Sequence, residues 1–206
     1  MTADNAGQPL TDVLPEPPAE APAAIALVTE AVSAWRLHWE ADPLRPPLGT
    51  TGVYRFDDPA GEFPVLYANR DRLACFAEVY GDTGTIEASQ GPRHLSLVSA
   101  LRPLRLVALD DALTRRRCGL DGRIGTAKQY AVTQQWSRSF HVWFPEADGL
   151  RYSSRHAGEQ HNYALFLDRC APELAVYPQG ELQDLRRVVL FAADMYALAV
   201  KVAWRS

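Results

Sequence analysis

The chain is poor in the features that announce most familiar functions. It has three cysteines, Cys75, Cys118 and Cys170, none in a CxxC pair, so neither a disulfide framework nor a zinc ribbon is indicated and a reducing compartment fits best. It lacks a basic excess: 21 Lys and Arg stand against 25 Asp and Glu, for a formal net charge of -4. A surface built to neutralise a nucleic-acid backbone or an anionic membrane needs clustered cations, so neither partner is expected. The opening MTADNAGQPL has no basic start and no apolar core, and does not read as a secretory signal. No apolar run is long enough to span a membrane. The richest, Val188 to Trp204, is broken by Asp194 and Lys201 and reads as a packed helix. These absences describe a soluble, cytoplasmic protein.

Several catalytic signatures are missing as well. There is no GxGxxG opening a helix, no GxxxxGK[ST] loop, no GxSxG elbow and no HExxH pair. The histidines at 38, 94, 141, 156 and 161 include one close pair without a carboxylate or cysteine cluster at zinc-ligand spacing, so no metal site is expected. The run Arg115 to Arg117 lies near a predicted helix C-terminus, where the helix dipole favours cations, and reads as a solvated cap.

What is present is 206 residues, 47% hydrophobic, enough for one sizeable core and one domain. Residues 1 to 24 are rich in Pro, Ala and acidic side chains and read as a flexible tail, leaving 25 to 206 as the domain. Ile25, Val28, Val32, Trp35 and Trp39 recur at helical spacing, which predicts a first helix ending before Pro43. Gly52 to Phe56 and Pro64 to Ala68, separated by DDPAGE, read as paired strands. A helix follows over Asn69 to Tyr80, with Asn69 or Asp71 as N-cap. Leu104 to Leu109 reads as a strand, Asp110 to Arg117 and Thr126 to His141 as helices, and Leu150 to Ser153, Tyr163 to Leu167 and Leu174 to Tyr177 as strands. Leu185 to Trp204 reads as a closing amphipathic helix. Strands and helices do not alternate regularly, so the expected class is α+β, with a small mixed or antiparallel sheet flanked by helices.

Three local patterns stand out: GVYRFDD with Arg55, VLYANRDRLACFAEVYG with Tyr67 and Glu78, and DGLRYSSRHAGEQHNYALF with Ser154. Singly, each has an ordinary explanation: a surface ion pair, a solvated helical carboxylate, a turn serine bonded to nearby backbone. Together and in this order they resemble the RES-domain family, named for its Arg, Glu and Ser, over about Leu48 to Arg169. The resemblance implies an ADP-ribosyltransferase-like fold and an enzyme that consumes NAD by cleaving its nicotinamide-ribose bond, passing ADP-ribose to water or inorganic phosphate. It further implies the toxin of a toxin-antitoxin pair, with an antitoxin covering the cleft. It assigns catalysis to Arg55, Glu78 and Ser154, and cofactor binding to Arg55, Phe56, Tyr67 and Ser154, without a metal. Many members carry a GGRWN-like segment that supplies a second arginine. The corresponding stretch here reads DDPAGEFP, so phosphate binding is expected from Arg55 together with Arg70, Arg72 or Arg155.

The residue types suit that chemistry. Breaking the nicotinamide-ribose bond builds positive charge on the ribose, which a fixed carboxylate such as Glu78 stabilises. Arg55 offers a planar fork for the pyrophosphate. No His and carboxylate accompany Ser154 in the sequence pattern to activate it, so it reads as a positioner rather than a nucleophile. Phe56 and Tyr67 could stack on nicotinamide. Two alternatives remain open: an ADP-ribosyltransferase acting on a protein, and a non-catalytic relative that binds a nucleotide or a partner protein.

Overall fold

The computed structural model describes residues 14–45, 52–88 and 93–205. The chain opens with strands β1 (Val28–Glu30), β2 (Ser33–His38) and β3 (Val65–Asn69), then helix α1 (Ala74–Tyr80), strand β4 (Thr85–Glu87) and strands β5 (His94–Ala100) and β6 (Leu104–Ala108). Helices α2 (Ala112–Arg117) and α3 (Tyr130–Trp143) follow, then β7 (Gly149–Ser153), β8 (His161–Phe166), the short α4 (Leu167–Cys170), β9 (Leu174–Glu181), α5 (Arg186–Met195) and β10 (Ala199–Lys201). Eight strands form one mixed sheet in the order β1-β6-β7-β8-β3-β2-β5-β9, and β10 pairs with β4 in a separate parallel pair. The class is the expected α+β, with a larger sheet than the sequence indicated.

Within the large sheet, β6 and β7 run parallel, with Leu106 opposite Gly149, and the other pairings are antiparallel. A parallel pair requires a long crossover, and this one carries both α2 and α3. The strands bury both faces. Along β8, Ala164 and Phe166 enter the cluster with Trp136 and Phe140 of α3, whereas Tyr163 and Leu165 enter the cluster with Leu66 and Leu106. A third cluster packs Phe76 of α1 and Val189 of α5 against Leu37 and Leu95. Gly149 is needed where β7 meets β8, because a Cβ there would lie 2.4 Å from the Ala164 carbonyl oxygen. No helix among the described residues is long and apolar enough to cross a membrane.

Four sequence expectations are corrected. The helix over Ile25 to Trp39 is instead β1 and β2. β2 puts Ala34 into one core cluster and Leu37 into another, so apolar residues stand on both sides of the strand and their spacing imitates a helix. Gly52 to Phe56 is a turn rather than a strand: Asp57 Oδ2 accepts hydrogen bonds from the N–H groups of Val53 (3.1 Å) and Tyr54 (2.8 Å) and coils the segment. The closing helix stops at Met195, where Ala197 adopts a φ of 51° and the chain turns into β10. In the N-terminal segment read as a tail, Leu14 is buried in the α3 cluster, and Trp136 Nε1 donates to the Pro15 carbonyl at 2.7 Å. Residues 1–13 lie outside the described residues.

Candidate functional site

The site is built around a cavity of about 370 Å³ between α1, the β2 and β3 strands and the turns that precede α3 and follow β7. Glu78 reaches it from α1. That helix starts where Asp71 Oδ1 accepts from the N–H groups of Leu73 and Ala74, both at 2.8 Å, which fixes its direction off β3. Phe76 and Tyr80 are buried in the cluster with Val189 of α5, anchoring the other face of the helix.

Glu78 is held through a single oxygen. Its Oε1 accepts from the Ser154 hydroxyl, from Arg155 N–H at 3.1 Å and from His156 N–H at 3.3 Å. Among the described residues Oε2 takes no protein hydrogen bond, and Glu78 lines the cavity. Ser154 itself accepts from Ala157 N–H at 2.8 Å and is only 5% exposed, so its hydroxyl proton is committed to Glu78. Gly81 lets this turn close over the end of α1, because a Cβ there would sit 2.5 Å from His156 Nδ1.

Arg55 is presented by the 52–62 turn, which one face of α3 clamps. Gln134 Nε2 donates to the carbonyls of Gly52 (2.7 Å) and Tyr54 (2.8 Å), Ser137 Oγ donates to that of Phe56 (2.7 Å), and Arg138 pairs with Asp58 (2.8 Å). The Arg55 guanidinium donates to the Ala127 carbonyl and lies 5.3 Å from the Tyr130 ring centre. It forms no carboxylate pair among the described residues. Tyr67 lines the cavity beside it. Its hydroxyl donates to Asp57 Oδ1 and accepts from Phe56 N–H, both at 2.9 Å. Burial, reinforced by the Asp57 charge, raises the Tyr67 phenol well above its ordinary range, and burial with the nearby Glu78 charge raises Tyr152 too. Both rings therefore stay neutral. Burial also pushes the Cys75 thiol, on the cavity wall, to about 12, which keeps it an un-ionised spectator.

Phe56 does not reach the cavity. It is fully buried, edge-on to Tyr152 with ring centres 4.8 Å apart, and its own carbonyl is held by Ser137 of α3. Of the arginines expected to help with phosphate, Arg155 lines the cavity but pairs with Asp82 at 3.0 Å. Arg70 and Arg72 lie elsewhere, the latter over the Trp35 ring at 5.5 Å. Arg36 and Arg93, which the sequence reading passed over, do line the cavity. Arg36 is 5% exposed and donates to the carbonyls of Tyr67 (3.1 Å) and Arg45 (3.3 Å). Desolvation draws both guanidiniums below the ordinary arginine value.

The RES-domain family model matches residues 33–190, most of the chain. The chain belongs to the RES-domain family. This RES domain is 30% identical over 141 residues to a probable toxin, y4kH, of Sinorhizobium fredii, a match covering 68% of the chain and 92% of the relative. A chain in the crystal structure of the M. tuberculosis MbcT-MbcA toxin-antitoxin complex shares its fold, with a TM-score of 0.57 at 17% identity, covering 84% of this RES domain and 92% of that chain. The family match begins at residue 33 rather than near Leu48, so Arg36 falls inside it. Beside Arg55 and Arg155, the cavity therefore carries a further arginine within the matched region, Arg36, which comes from β2 and not from DDPAGEFP.

Proposed function

We propose that this RES-domain protein is the toxin of a toxin-antitoxin pair and destroys NAD by cleaving the nicotinamide-ribose bond. One observation carries the reading: a cavity-lining carboxylate, Glu78, pinned by three donors on Oε1 while Oε2 takes no protein hydrogen bond among the described residues. A carboxylate fixed in this way needs no reorganisation when positive charge develops on the ribose. As the C–N bond breaks, its electron pair leaves with nicotinamide, which departs neutral, and the ribose carbon becomes oxocarbenium-like. Glu78 Oε2 stabilises that charge, and water or inorganic phosphate then bonds to the carbon, the surplus proton passing to solvent. Ser154 acts through Glu78 as a positioning residue. Arg55 and Arg36 hold the pyrophosphate, and Tyr67 lies against the nicotinamide side.

The toxin assignment draws on the name of the Sinorhizobium fredii relative, and the antitoxin on the complex that shares the fold. An antitoxin seated over the cavity mouth would keep NAD out. Such a protein acts in the cytoplasm, where its substrate is. The test is to incubate the purified protein with NAD, with and without inorganic phosphate and a cell extract, and to identify products by mass. Free ADP-ribose, or its phosphate when phosphate is added, supports the proposal. Transfer of ADP-ribose to a protein in the extract would replace it with the transferase reading, and absence of any NAD loss would leave a non-catalytic binder.

A further inference from the structure

Buried polar atoms in a native fold are paired almost without exception, so those left unpaired point to a missing partner. Among the described residues six buried side-chain atoms have no hydrogen-bond partner: Arg36 Nε, Glu40 Oε2, Arg93 Nε, His161 Nδ1, Asn162 Nδ2 and Glu181 Oε2. Two of these nevertheless face an opposite charge, since His161 Nδ1 lies 2.9 Å from Asp110 and Glu181 Oε2 lies 2.6 Å from Arg205. The remaining four all belong to residues that line the cavity holding Glu78.

Three of the four gather on a single wall. Arg36 and Glu40 flank the end of β2, Arg93 stands immediately before β5, and their charges act on one another. The Arg93 guanidinium lies 3.9 Å from the Trp39 ring centre and 5.2 Å from that of Tyr80, so its plane is fixed without a carboxylate partner. None of these residues takes part in holding Glu78. A ligand that completes this wall must bring anionic acceptors for two guanidiniums and a hydroxyl donor for a carboxylate. A purely anionic ligand would be repelled by Glu40, and a neutral sugar would leave both arginines short.

We infer that Arg93 and Glu40, backed by Arg36, form a specificity-determining subsite for the ribose phosphate on the adenylate side of the dinucleotide, Arg93 taking a phosphate oxygen and Glu40 a ribose hydroxyl. This rests on NAD as the substrate. It makes the β2-β5 wall the part of the site that distinguishes a dinucleotide from a mononucleotide.

The test compares Arg93→Lys, Arg93→Gln and Glu40→Gln with the parent full-length chain. Each is assayed for kcat/KM on NAD and on nicotinamide mononucleotide, which lacks the adenylate half, and titrated calorimetrically with ADP-ribose. Each variant is expected to lower the NAD to mononucleotide ratio about tenfold and to weaken ADP-ribose binding to a similar degree. Arg93→Lys keeps a positive charge and an aliphatic stem but loses the planar guanidinium that stands over Trp39, and it carries the test if Arg93→Gln does not fold. An unchanged ratio and unchanged ADP-ribose affinity in a variant that melts with the parent would overturn the inference. So would a loss confined to the KM for inorganic phosphate, which would give Arg93 to the acceptor. If the parent leaves NAD intact, the proposed function fails, whereas ADP-ribose binding that depends on Arg93 would still support the subsite.

Discussion

The two walls of the cavity are built on opposite principles. On the α1 wall, Glu78 Oε1 is saturated by Ser154, Arg155 and His156 before any ligand arrives. On the β2-β5 wall, buried atoms of Arg36, Glu40 and Arg93 wait without partners. On the proposed function, the contrast separates chemistry from recognition. A group that must act on a developing charge gains from being fixed in advance, whereas groups that recognise a ligand can be completed by it, at a cost in the empty protein's stability.

Substitutions should fall differently on the two walls. The largest effect is expected from Glu78→Gln, which keeps the size and a hydrogen-bond acceptor but removes the charge needed in the transition state: NAD turnover should drop on the order of a hundredfold or more, with melting near the parent. A parent-like rate would remove Glu78 from the chemistry. Ser154→Ala deletes one of the three donors to Oε1 and leaves the backbone donors from Arg155 and His156. Its kcat should fall about tenfold while KM for NAD stays near the parent value. A fall as deep as that of Glu78→Gln would mean that Ser154 touches substrate. Arg55→Lys keeps the charge and loses the planar fork, so KM for NAD should rise several-fold up to about tenfold, measured at two salt concentrations to exclude simple screening. Unchanged NAD dependence would hand the pyrophosphate to Arg36 alone.

The smallest effect concerns the β2 wall and pH. His38 is buried with Nδ1 2.8 Å from the Glu40 carbonyl and Nε2 2.9 Å from Ser96 Oγ. A carbonyl only accepts, so Nδ1 carries the proton and Nε2 accepts from Ser96. Desolvation by burial is the main cause holding the His38 pKa below its ordinary value of 6.5. Below about pH 6.5 the unfolded chain takes up a proton that the folded chain refuses, so this contribution to stability is complete above that pH and is lost as pH falls toward the folded value. The slope is at most about 1.4 kcal/mol per pH unit. Urea midpoints measured between pH 7.5 and 5.5 should decline less in His38→Gln than in the parent, and parallel slopes would exclude His38 as the source.

Legibility in the sequence followed the same division. Glu78, Tyr67 and Ser154 stand in segments whose local pattern is distinctive, and α1, α2 and β6 to β9 were read close to where they lie. Arg36 was missed for a specific reason. Its segment has helical apolar spacing, and on a helix an arginine between tryptophans is an ordinary solvated side chain, whereas on β2 Arg36 falls on the cavity side and is buried. The signal was there in its apolar neighbours, but spacing alone does not separate a doubly buried strand from a helix. Phe56 illustrates the limit of pattern in the other direction. Its type and position were right for a stacking residue, but the hydrogen bonds of Asp57, Tyr67 and Ser137 to this turn send Arg55 outward and Phe56 inward. The turn also depends on α3, some 80 positions along the chain, as the Gln134 contact with Tyr54 shows.

The parallel junction of β6 and β7 has a consequence for when the site exists. Because the two strands are joined through α2 and α3, the clamp on Arg55 needs α3 and the Ser154 turn needs β7, so both form only after the crossover segment is in place. During synthesis, Arg55 and Glu78 leave the ribosome well before Ser154, which bonds Glu78 across 76 positions. Contacts so distant in sequence form late. On the proposed function, a nascent chain would have no assembled site until nearly the whole domain had emerged, and an antitoxin would need to be present only by then.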